Sequence, residues 1–228
     1  MQSVILAGGL ATRLRPVTEK IPKSMIDVGG RPFLAHQLEL LKRSGVGDVV
    51  LCVGHLADQI EDYFGDGSEF GVRITYSREE ERLLGTGGAL KKADPLLDNE
   101  FCLIYGDSYL DIDYRPVFER FSEIDSPVLM TVYRNRDRWV PSNLLYRDGK
   151  VIEFNKENPS PQMEYIDFGL SVFSRDILKM FPEEEPYNLD DCYRHLAPKG
   201  ELAGYEVSQR FYEIGSLEGL EELRQVIG

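Results

Sequence analysis

The chain has 228 residues, a length compatible with one large α/β domain or two small ones. Its net charge of −13 argues against nonspecific nucleic-acid binding, because such binding needs a basic surface. No apolar run approaches the ~20 residues that span a bilayer, and the N-terminus enters a strand without a basic region or a cleavage site. We therefore expect a cytoplasmic protein that binds neither membranes nor nucleic acids.

The first half of the chain alternates strand and helix patterns. Strands are predicted at 4–7, 48–53, 72–77 and 101–105, and helices at 32–44, 57–64 and 89–93. Such alternation predicts a parallel sheet with helices on both faces.

The second half has strands in quick succession. Strand-sized apolar segments lie at 128–133, 144–146, 151–154 and 166–173, and helices are predicted at 176–180, 189–196 and 217–226. Asp148-Gly149 predicts a hairpin turn, and Ser216 is the expected N-cap of the last helix. No linker is visible, so we predict one domain over residues 1–228.

The three cysteines are widely spaced and include no Cys-x-x-Cys pair that would suggest zinc or redox chemistry. Cys52 and Cys102 lie in apolar strands, which favours small buried side chains and a reducing cytoplasm.

A paired glycine follows the first strand, at Gly8-Gly9, and cations follow the glycines at Arg13, Arg15 and Lys23. A glycine-rich turn after a strand brings backbone N–H groups against phosphate, although a plain tight turn is the alternative. The segment lacks both the Gly-Lys-Ser/Thr of ATPase phosphate loops and Gly-x-Gly-x-x-Gly. In an acidic protein, cations concentrated here favour a polyphosphate site.

The run from Leu6 to Lys23, Leu-Ala-Gly-Gly-x-x-Thr-Arg-Leu-Arg-Pro-x-Thr-x-x-x-Pro-Lys, resembles the signature of the sugar-1-phosphate nucleotidyltransferases. These enzymes join a nucleoside triphosphate (NTP) to a sugar 1-phosphate and release pyrophosphate. The resemblance implies a Rossmann-like α/β fold with a mixed, mainly parallel sheet flanked by helices, as in the short single-domain members. Residues of about 1–110 would form the nucleotide-binding half, and about 111–228 a small α+β half that binds sugar and metal. A homodimer is compatible with this resemblance.

The resemblance also implies residue roles in nucleotide binding. Arg13 and Lys23 would be catalytic, with Lys23 stabilising charge on the α-phosphate. Three glycines close together in Gly85-Thr86-Gly87-Gly88 would let a base lie against the backbone, although a turn capped by Thr86 is the alternative. The implied nucleotide-binding set is Leu6, Ala7, Gly8, Gly9, Thr12, Arg13, Gly54, Gly85, Thr86, Gly87, Gly88 and Asp107.

Two carboxylates are the implied metal ligands. Asp107 follows an apolar strand, where a carboxylate points into the crevice that binds ligands in α/β sheets, although a surface turn is the alternative. Glu213 lies in Phe-Tyr-Glu-Ile-Gly, in register with the aromatic-x-Asp-Ile-Gly of the family. Its extra methylene moves the carboxylate outward by ~1.5 Å, and Mg²⁺ requires close octahedral contacts. We predict that Glu213 still binds Mg²⁺, with an altered preference for Mn²⁺.

The implied sugar site contains Asn143, Lys156, Asp167 and Gly169. Lys156 would contact the sugar phosphate, and Asp167 would accept hydrogen bonds from hydroxyls. The alternative interpretation of each of these residues is an exposed polar residue in a loop. Residues 156–162 contain two prolines and are interpreted as a mobile loop over the substrate.

The substrates are not decided by the sequence. The form Gly-Thr-Gly-Gly-Ala resembles bacterial guanylyltransferases acting on heptose 1-phosphate, so GTP and heptose 1-phosphate, giving GDP-heptose, are the preferred pair. The segment 64–71 also resembles uridylyltransferases that recycle N-acetylmuramate. Two further alternatives stay open: a cytidylyltransferase for a non-sugar phosphate such as phosphocholine, and a catalytically silent regulator that binds a sugar nucleotide.

Overall fold

The computed structural model describes residues 1–9, 14, 17–80 and 82–228. Thr12 and Arg13 of the predicted site, and Arg15, lie outside these residues. The strands are β1 Gln2–Leu6, β2 Asp27–Val28, β3 Arg31–Pro32, β4 Asp48–Val53, β5 Arg73–Arg78, β6 Glu100–Tyr105, β7 Ser108–Tyr109, β8 Val128–Arg134, β9 Leu144–Arg147, β10 Lys150–Phe154, β11 Tyr165–Ser174, β12 Leu202–Val207 and β13 Tyr212–Glu213. The α-helices are α1 Phe33–Arg43, α2 Ala57–Phe64, α3 Gly85–Ala93, α4 Arg115–Ser122, α5 Leu189–Leu196 and α6 Leu217–Ile227.

A sheet of nine strands in the order β5-β4-β1-β6-β11-β8-β12-β10-β9 is the centre of the fold. The strands β5, β4, β1 and β6 are mutually parallel. The chain leaves β1 toward β4 and β5 and then returns to the other side of β1 as β6. This reversal places a crevice beyond the carboxyl ends of β1 and β6, where open α/β sheets bind ligands.

The second half of the sheet is mixed and curls on itself. Strand β11 runs antiparallel to β6 and β8, while β12 runs parallel to β8. Tyr165 of β11 also pairs with Leu144 of β9, which brings the last strand of the sheet back to β11. The hairpin between β9 and β10 turns at Asp148 and Gly149, whose φ angles are +50° and +78°, as expected of a two-residue turn.

Hydrophobic clusters cover both faces of the sheet. One face packs against α1 and α2, whose buried side chains recur at helical spacing, as in Leu34, Leu38 and Leu41. The other face packs against α3 and α5. A third cluster joins α6 to the β2–β3 hairpin through residues such as Val28, Ile214 and Leu223. The predicted mixed sheet with helices on both faces is confirmed.

Several local features differ from the sequence predictions or were not predicted. The helix predicted at 176–180 is a 3-10 helix over Arg175–Met180. Helix α4 and strand β12 have no counterpart among the predicted elements. All three cysteines are buried, as expected for Cys52 and Cys102. Within the described ranges, no helix has the length and apolar character needed to cross a membrane.

Candidate active site

A cavity of about 240 Å³ opens beyond the carboxyl ends of β1 and β6. Its position is the crevice that the strand order predicts. The lining residues come from β1 and the turn after it, the 3-10 turn Lys23–Met25, β4, the segment before α3, the first turns of α3, and the end of β6 with the turn after it. They are Leu6, Ala7, Gly8, Gly9, Lys23, Ser24, Cys52, Glu79, Leu83, Gly85, Thr86, Ala89, Tyr105, Gly106 and Asp107.

Glycine backbone forms one wall of the cavity. A side chain at Gly8 would lie 3.0 Å from Glu79 Oε2 and 3.2 Å from Gly54 N, while one at Gly9 would meet nothing within 4 Å. Gly54 and Gly8 therefore lie against each other, and Gly9 faces open space. Bare backbone with free space beyond it allows a ligand to approach the N–H groups closely.

A lysine and an aspartate meet at the cavity. Lys23 Nζ donates a hydrogen bond to Asp107 Oδ2 at 2.6 Å. The two side chains are 16% and 33% exposed, so the pair is partly shielded from water but open to a ligand. Asp107 lies between β6 and β7, and Lys23 begins its own 3-10 turn, so the pair joins two separate segments. The cation and the carboxylate predicted from the sequence are adjacent.

Glu213 lies beside this pair. Strand β13 pairs with β7, and Ile214 N donates to Asp107 O at 2.9 Å. A side chain added at Gly215 would lie 3.3 Å from Lys23 Nζ and 3.5 Å from Asp107 Oδ2, and would collide with the Glu213 carboxylate. The Glu213 carboxylate therefore borders the Lys23–Asp107 pair.

The Glu213 carboxylate is held against the start of α6. Its Oε2 accepts a hydrogen bond from Gly215 N, and its Oε1 accepts one from Ser216 Oγ at 2.7 Å. Ser216 Oγ in turn accepts from Gly219 N at 3.0 Å and is the predicted N-cap. These contacts fix the direction of the longer glutamate side chain.

Asp107 and Glu213 fit a magnesium ion by donor type, because both provide the oxygen ligands that Mg²⁺ prefers. The described part of the chain contains no group of three or more His, Cys, Asp or Glu side chains that could hold a metal. Two carboxylates suffice for Mg²⁺, since it usually retains waters and takes the rest of its ligands from substrate phosphates.

The glycine-rich segment forms the first turns of α3. Gly85 and Thr86 line the cavity. Gly87 N and Gly88 N instead donate to Tyr187 O at 2.9 and 3.0 Å. Thr86 Oγ1 accepts from Leu189 N at 2.9 Å, so it caps α5 rather than its own turn. Only the first half of this segment thus faces the predicted nucleotide site.

Glu79 is a cavity residue that the sequence analysis missed. Its side chain is buried, Oε1 accepts a hydrogen bond from Leu84 N at 2.6 Å, and burial raises its pKa above the usual range of a glutamate. In the sequence it begins a run of three glutamates, which has the pattern of a solvated loop.

The four predicted sugar-site residues form a second cluster. Asp167 accepts a hydrogen bond from Gly169 N at 2.8 Å, and its own N donates to Asn143 Oδ1 at 3.4 Å. These contacts are made where the β11–β8 register shifts, and Gly169 adopts a φ of +98° there. Burial raises the pKa of Asp167, an effect that the positive charge of Lys156 opposes.

Lys156 connects this cluster to the cavity. Its Nζ forms an ion pair with Asp190 Oδ1 at 2.9 Å and lies 5.9 Å from the ring centre of Tyr105, which lines the cavity. Asp190 is another residue that the sequence analysis missed. Asp190 lies in the first turn of α5, where acidic residues are common, so the sequence did not mark it as a site residue.

The sequence pattern of the nucleotidyl transferase family matches residues 2–227. The chain belongs to this family. The family and the enzyme class predicted from the sequence are therefore confirmed.

Curated relatives in the family act on different sugars. The chain is 32% identical to the D-glycero-alpha-D-manno-heptose 1-phosphate guanylyltransferase of Campylobacter jejuni, over 94% of this chain and 95% of that protein. It is also 32% identical to the UTP–glucose-1-phosphate uridylyltransferase of Synechocystis, over 92% of this chain but 58% of that longer protein. A third relative, the N-acetylmuramate alpha-1-phosphate uridylyltransferase of Neisseria meningitidis, is 40% identical over 54% of each chain.

Solved nucleotidyltransferase structures share the whole fold. HddC from Yersinia pseudotuberculosis, crystallised with GMP-PN, is 28% identical, with a TM-score of 0.81 over 100% of this chain and 99% of that one. A structure described as a glucose-1-phosphate thymidylyltransferase from Bacillus anthracis has a TM-score of 0.87 over 99% of this chain and 94% of that one. Because the two sequences are 24% identical, this similarity concerns the fold alone. The predicted nucleotide-diphospho-sugar transferase fold is confirmed.

Proposed function

We propose that the chain transfers a nucleotidyl group from an NTP to a sugar 1-phosphate, with GTP and heptose 1-phosphate as its preferred substrates. The products would be GDP-heptose and pyrophosphate. The observation that carries the proposal is the Lys23–Asp107 pair bordered by the Glu213 carboxylate at the mouth of a glycine-walled cavity. The relative in Campylobacter jejuni, matched along almost its full length, favours the choice of substrates.

The attacking group needs no general base in this reaction. A phosphate monoester has a second pKa of about 6, so a sugar 1-phosphate is mostly a dianion at neutral pH. The obstacle is the repulsion between this dianion and the triphosphate. Catalysis then consists of positioning the two substrates and of neutralising their charges.

Lys23 is placed for charge neutralisation at the α-phosphate. In the structure its ammonium group is held by Asp107 at 2.6 Å, so the cation is already positioned at the cavity mouth. We assign it to an oxygen of the α-phosphate, to which it would donate a hydrogen bond as pyrophosphate leaves. The glycine wall at Gly8 and Gly9 would bind the phosphates through backbone N–H groups, together with Thr12 and Arg13.

Asp107 and Glu213 would hold Mg²⁺ or Mn²⁺. When bound, such an ion neutralises phosphate charge and orients phosphate oxygens. Asp107 would then be shared between the ion and Lys23, whose ammonium group would also be within reach of the nucleotide.

The Lys156 cluster is the proposed sugar site. Lys156 would bind the phosphate of the sugar 1-phosphate, because its ammonium group is half-exposed and lies close to the cavity residue Tyr105. The carboxylates of Asp167 and Asp190 would accept hydrogen bonds from sugar hydroxyls.

A uridylyltransferase for N-acetylmuramate 1-phosphate is the second candidate. It is favoured by the 40% identity to the Neisseria meningitidis relative over about half of each chain.

The test is pyrophosphate release from each common NTP in combination with a panel of phosphorylated acceptors, in Mg²⁺ and in Mn²⁺. The panel contains the 1-phosphates of heptose, mannose, glucose and N-acetylmuramate, and phosphocholine. We expect the highest kcat/KM with GTP and heptose 1-phosphate. Faster turnover of UTP with N-acetylmuramate 1-phosphate would select the second candidate. No turnover of any pair, with nucleotide binding intact, would contradict both and favour a regulatory binder.

A further inference from the structure

Gln37 is a polar side chain in the interior of the protein. It lies on α1 and is 1% exposed, and the buried residues of the same helix include Leu34, Leu38 and Leu41. A buried amide loses its hydrogen bonds to water, so its partners in the folded chain decide what it contributes. The roles proposed above for the phosphates, the metal and the sugar do not include Gln37.

The amide group of Gln37 holds the turn that carries Asp107. Its Nε2 donates hydrogen bonds to Tyr105 O at 2.9 Å and to Ser108 O at 2.8 Å. These two carbonyls lie on either side of Gly106 and Asp107, so one NH₂ group spans the turn. An amide nitrogen carries two hydrogens, and both are used here.

The oxygen of the same amide makes no comparable contact. Within the described residues, Gln37 Oε1 is buried and has no hydrogen-bond partner. A buried acceptor without a donor lowers the stability of the fold. The favourable contribution of this amide therefore comes from the two carbonyls of the turn.

Two other segments hold the same turn through backbone atoms. Gly106 N donates to Leu6 O at 3.0 Å, and Ile214 N donates to Asp107 O at 2.9 Å. A side chain at Gly106 would collide with Leu6 O, so the turn lies directly against the end of β1. The contact from α1 differs from these two because a side chain makes it, and a substitution can therefore remove it.

We propose that Gln37 is a positioning residue, whose amide spans the turn and thereby keeps the Asp107 carboxylate in contact with Lys23 Nζ. A charge-assisted hydrogen bond depends on the direction of the carboxylate, and this direction is set by the turn. The inference rests on the proposed function for the use of this pair in nucleotidyl transfer. The contact itself can be measured without turnover.

The experiment measures how fast Lys23 reacts with a small acylating reagent in protein without added metal or nucleotide. An ammonium group that is hydrogen-bonded to a carboxylate must leave it before it can react, so the rate reports the contact with Asp107. Lys91 is the reference within each protein, because its side chain is 12% exposed against 16% for Lys23, and it also forms ion pairs. Peptide mass spectrometry gives both rates. Unfolding would raise both, whereas a local release would raise that of Lys23 alone.

The variant Gln37→Met keeps the length and approximate volume of the side chain but removes both N–H donors. We expect Lys23 to react about 10-fold faster in this variant, the lower end of the range for a hydrogen bond to a charged group. Lys91 should react at the wild-type rate. Gln37→His retains one ring N–H donor and should show a smaller increase at Lys23.

Ser126→Ala is the matched control. Ser126 Oγ also lies 3.0 Å from two backbone carbonyl oxygens, those of Val128 and Glu201, and Ser126 is not among the residues that line the cavity. Its substitution removes a comparable contact between a side chain and the backbone. The reaction of Lys23 should be unchanged in this variant.

Asp107→Asn tests whether Gln37 acts through Asp107. This substitution weakens the contact with Lys23 directly, so the amide of Gln37 has no carboxylate left to position. Adding Gln37→Met to Asp107→Asn should therefore change the rate at Lys23 by less than about twofold. A further increase as large as that in the wild-type background would contradict the proposed route.

The outcomes separate this inference from the proposed function. An unchanged rate at Lys23 in Gln37→Met, or an equal increase at Lys23 and Lys91, would overturn the positioning role while leaving nucleotidyl transfer intact. Faster reaction of Lys23 alone, without pyrophosphate release by the wild type from any substrate pair, would support positioning and contradict the transferase. Where the wild type turns over, Gln37→Met should lower kcat by about 10-fold, the lower end of the loss when a group that orients a metal ligand is removed. An undiminished kcat would overturn its role in transfer.

Discussion

Lys23 and Asp107 are 84 positions apart in the sequence, and their side chains meet at 2.6 Å at the mouth of the cavity. Asp107 follows β6, while Lys23 begins a 3-10 turn in the connection from β1 to β2. The contact brings the two segments together at the point where the strand order reverses. The site therefore depends on the topology of the sheet.

We expect Lys23→Ala to lower kcat/KM by a factor that corresponds to about 2–4 kcal/mol of transition-state stabilisation, the range for one preorganised electrostatic group. The measurement is the initial rate of pyrophosphate release at several GTP concentrations. Lys179→Ala is the control, because Lys179 is 78% exposed and pairs with Asp176 on the surface. A loss in Lys23→Ala below about threefold would contradict the assignment.

We expect Glu213→Ala to abolish the dependence of turnover on Mg²⁺ in the range where the wild type responds, because one of the two carboxylates is lost. Glu213→Asp restores the family residue and should retain metal-dependent turnover with a changed ratio of Mg²⁺ to Mn²⁺ activity. The measurement is the metal concentration that gives half-maximal rate. Glu218→Ala, on the exposed face of α6, is the control. Unchanged metal dependence in Glu213→Ala would exclude Glu213 as a ligand.

The limits of the sequence predictions have physical causes. The helices Ala57–Phe64 and Leu189–Leu196 were predicted with their observed bounds, because their apolar residues recur at helical spacing. Helix α4 was missed because only Val117 and Phe121 are buried in it. Its apolar pattern is accordingly weak.

In the site, too, residues in a local sequence pattern could be predicted, and residues defined by contacts in the fold could not. Lys23 and Asp107 belong to short local motifs, so their types and spacing could be recognised before the fold was known. The N–H groups of Gly87 and Gly88 are used by Tyr187, about 100 positions further along, and no local pattern reports such a contact. Glu79 was hidden among its glutamate neighbours, because burial is a property of the folded chain.

The cysteines should react slowly with thiol reagents in the folded protein. Burial raises the pKa of Cys52 to about 12, of Cys102 to about 11 and of Cys192 to about 12. The thiolate is the reactive form, so at pH 8 almost none is present and access is blocked as well. Labelling with a chromogenic disulfide should require denaturant. Rapid reaction of any cysteine in native buffer would contradict the buried positions.

Asp167→Asn should change stability and sugar binding in opposite directions. Burial raises the pKa of Asp167 in the folded protein above its value in the unfolded chain. The ionised carboxylate therefore destabilises the fold at neutral pH, and this effect disappears as the pH falls below the unfolded-state pKa. The variant should be more stable than the wild type at pH 7, and the difference should shrink in acid. Its KM for the sugar 1-phosphate should rise.

Asp176→Asn is the control, because its effect on the stability of the fold should have the opposite sign. The hydrogen bond from Lys179 lowers the pKa of Asp176, so its ionised form stabilises the fold above the unfolded-state pKa. This variant should lose a little stability at pH 7 and none in strong acid, with no change in KM. The measurement for both is urea unfolding at several pH values. An Asp167→Asn variant that is less stable than the wild type at pH 7 would show that Lys156 outweighs burial.

Ser216→Ala should affect both the stability of α6 and the metal site. Ser216 Oγ accepts from Gly219 N, and loss of such an N-cap costs about 1 kcal/mol, or roughly 2–4 °C in Tm for a chain of this size. The same hydroxyl donates to Glu213 Oε1 and so orients the proposed ligand. Removal of a group that orients a metal ligand weakens metal binding by about 10- to 100-fold. Thermal unfolding and a Mg²⁺ titration of activity test the two effects separately. Ser216→Thr retains the hydroxyl and should recover both; a lower Tm with unchanged Mg²⁺ dependence would confine Ser216 to helix capping.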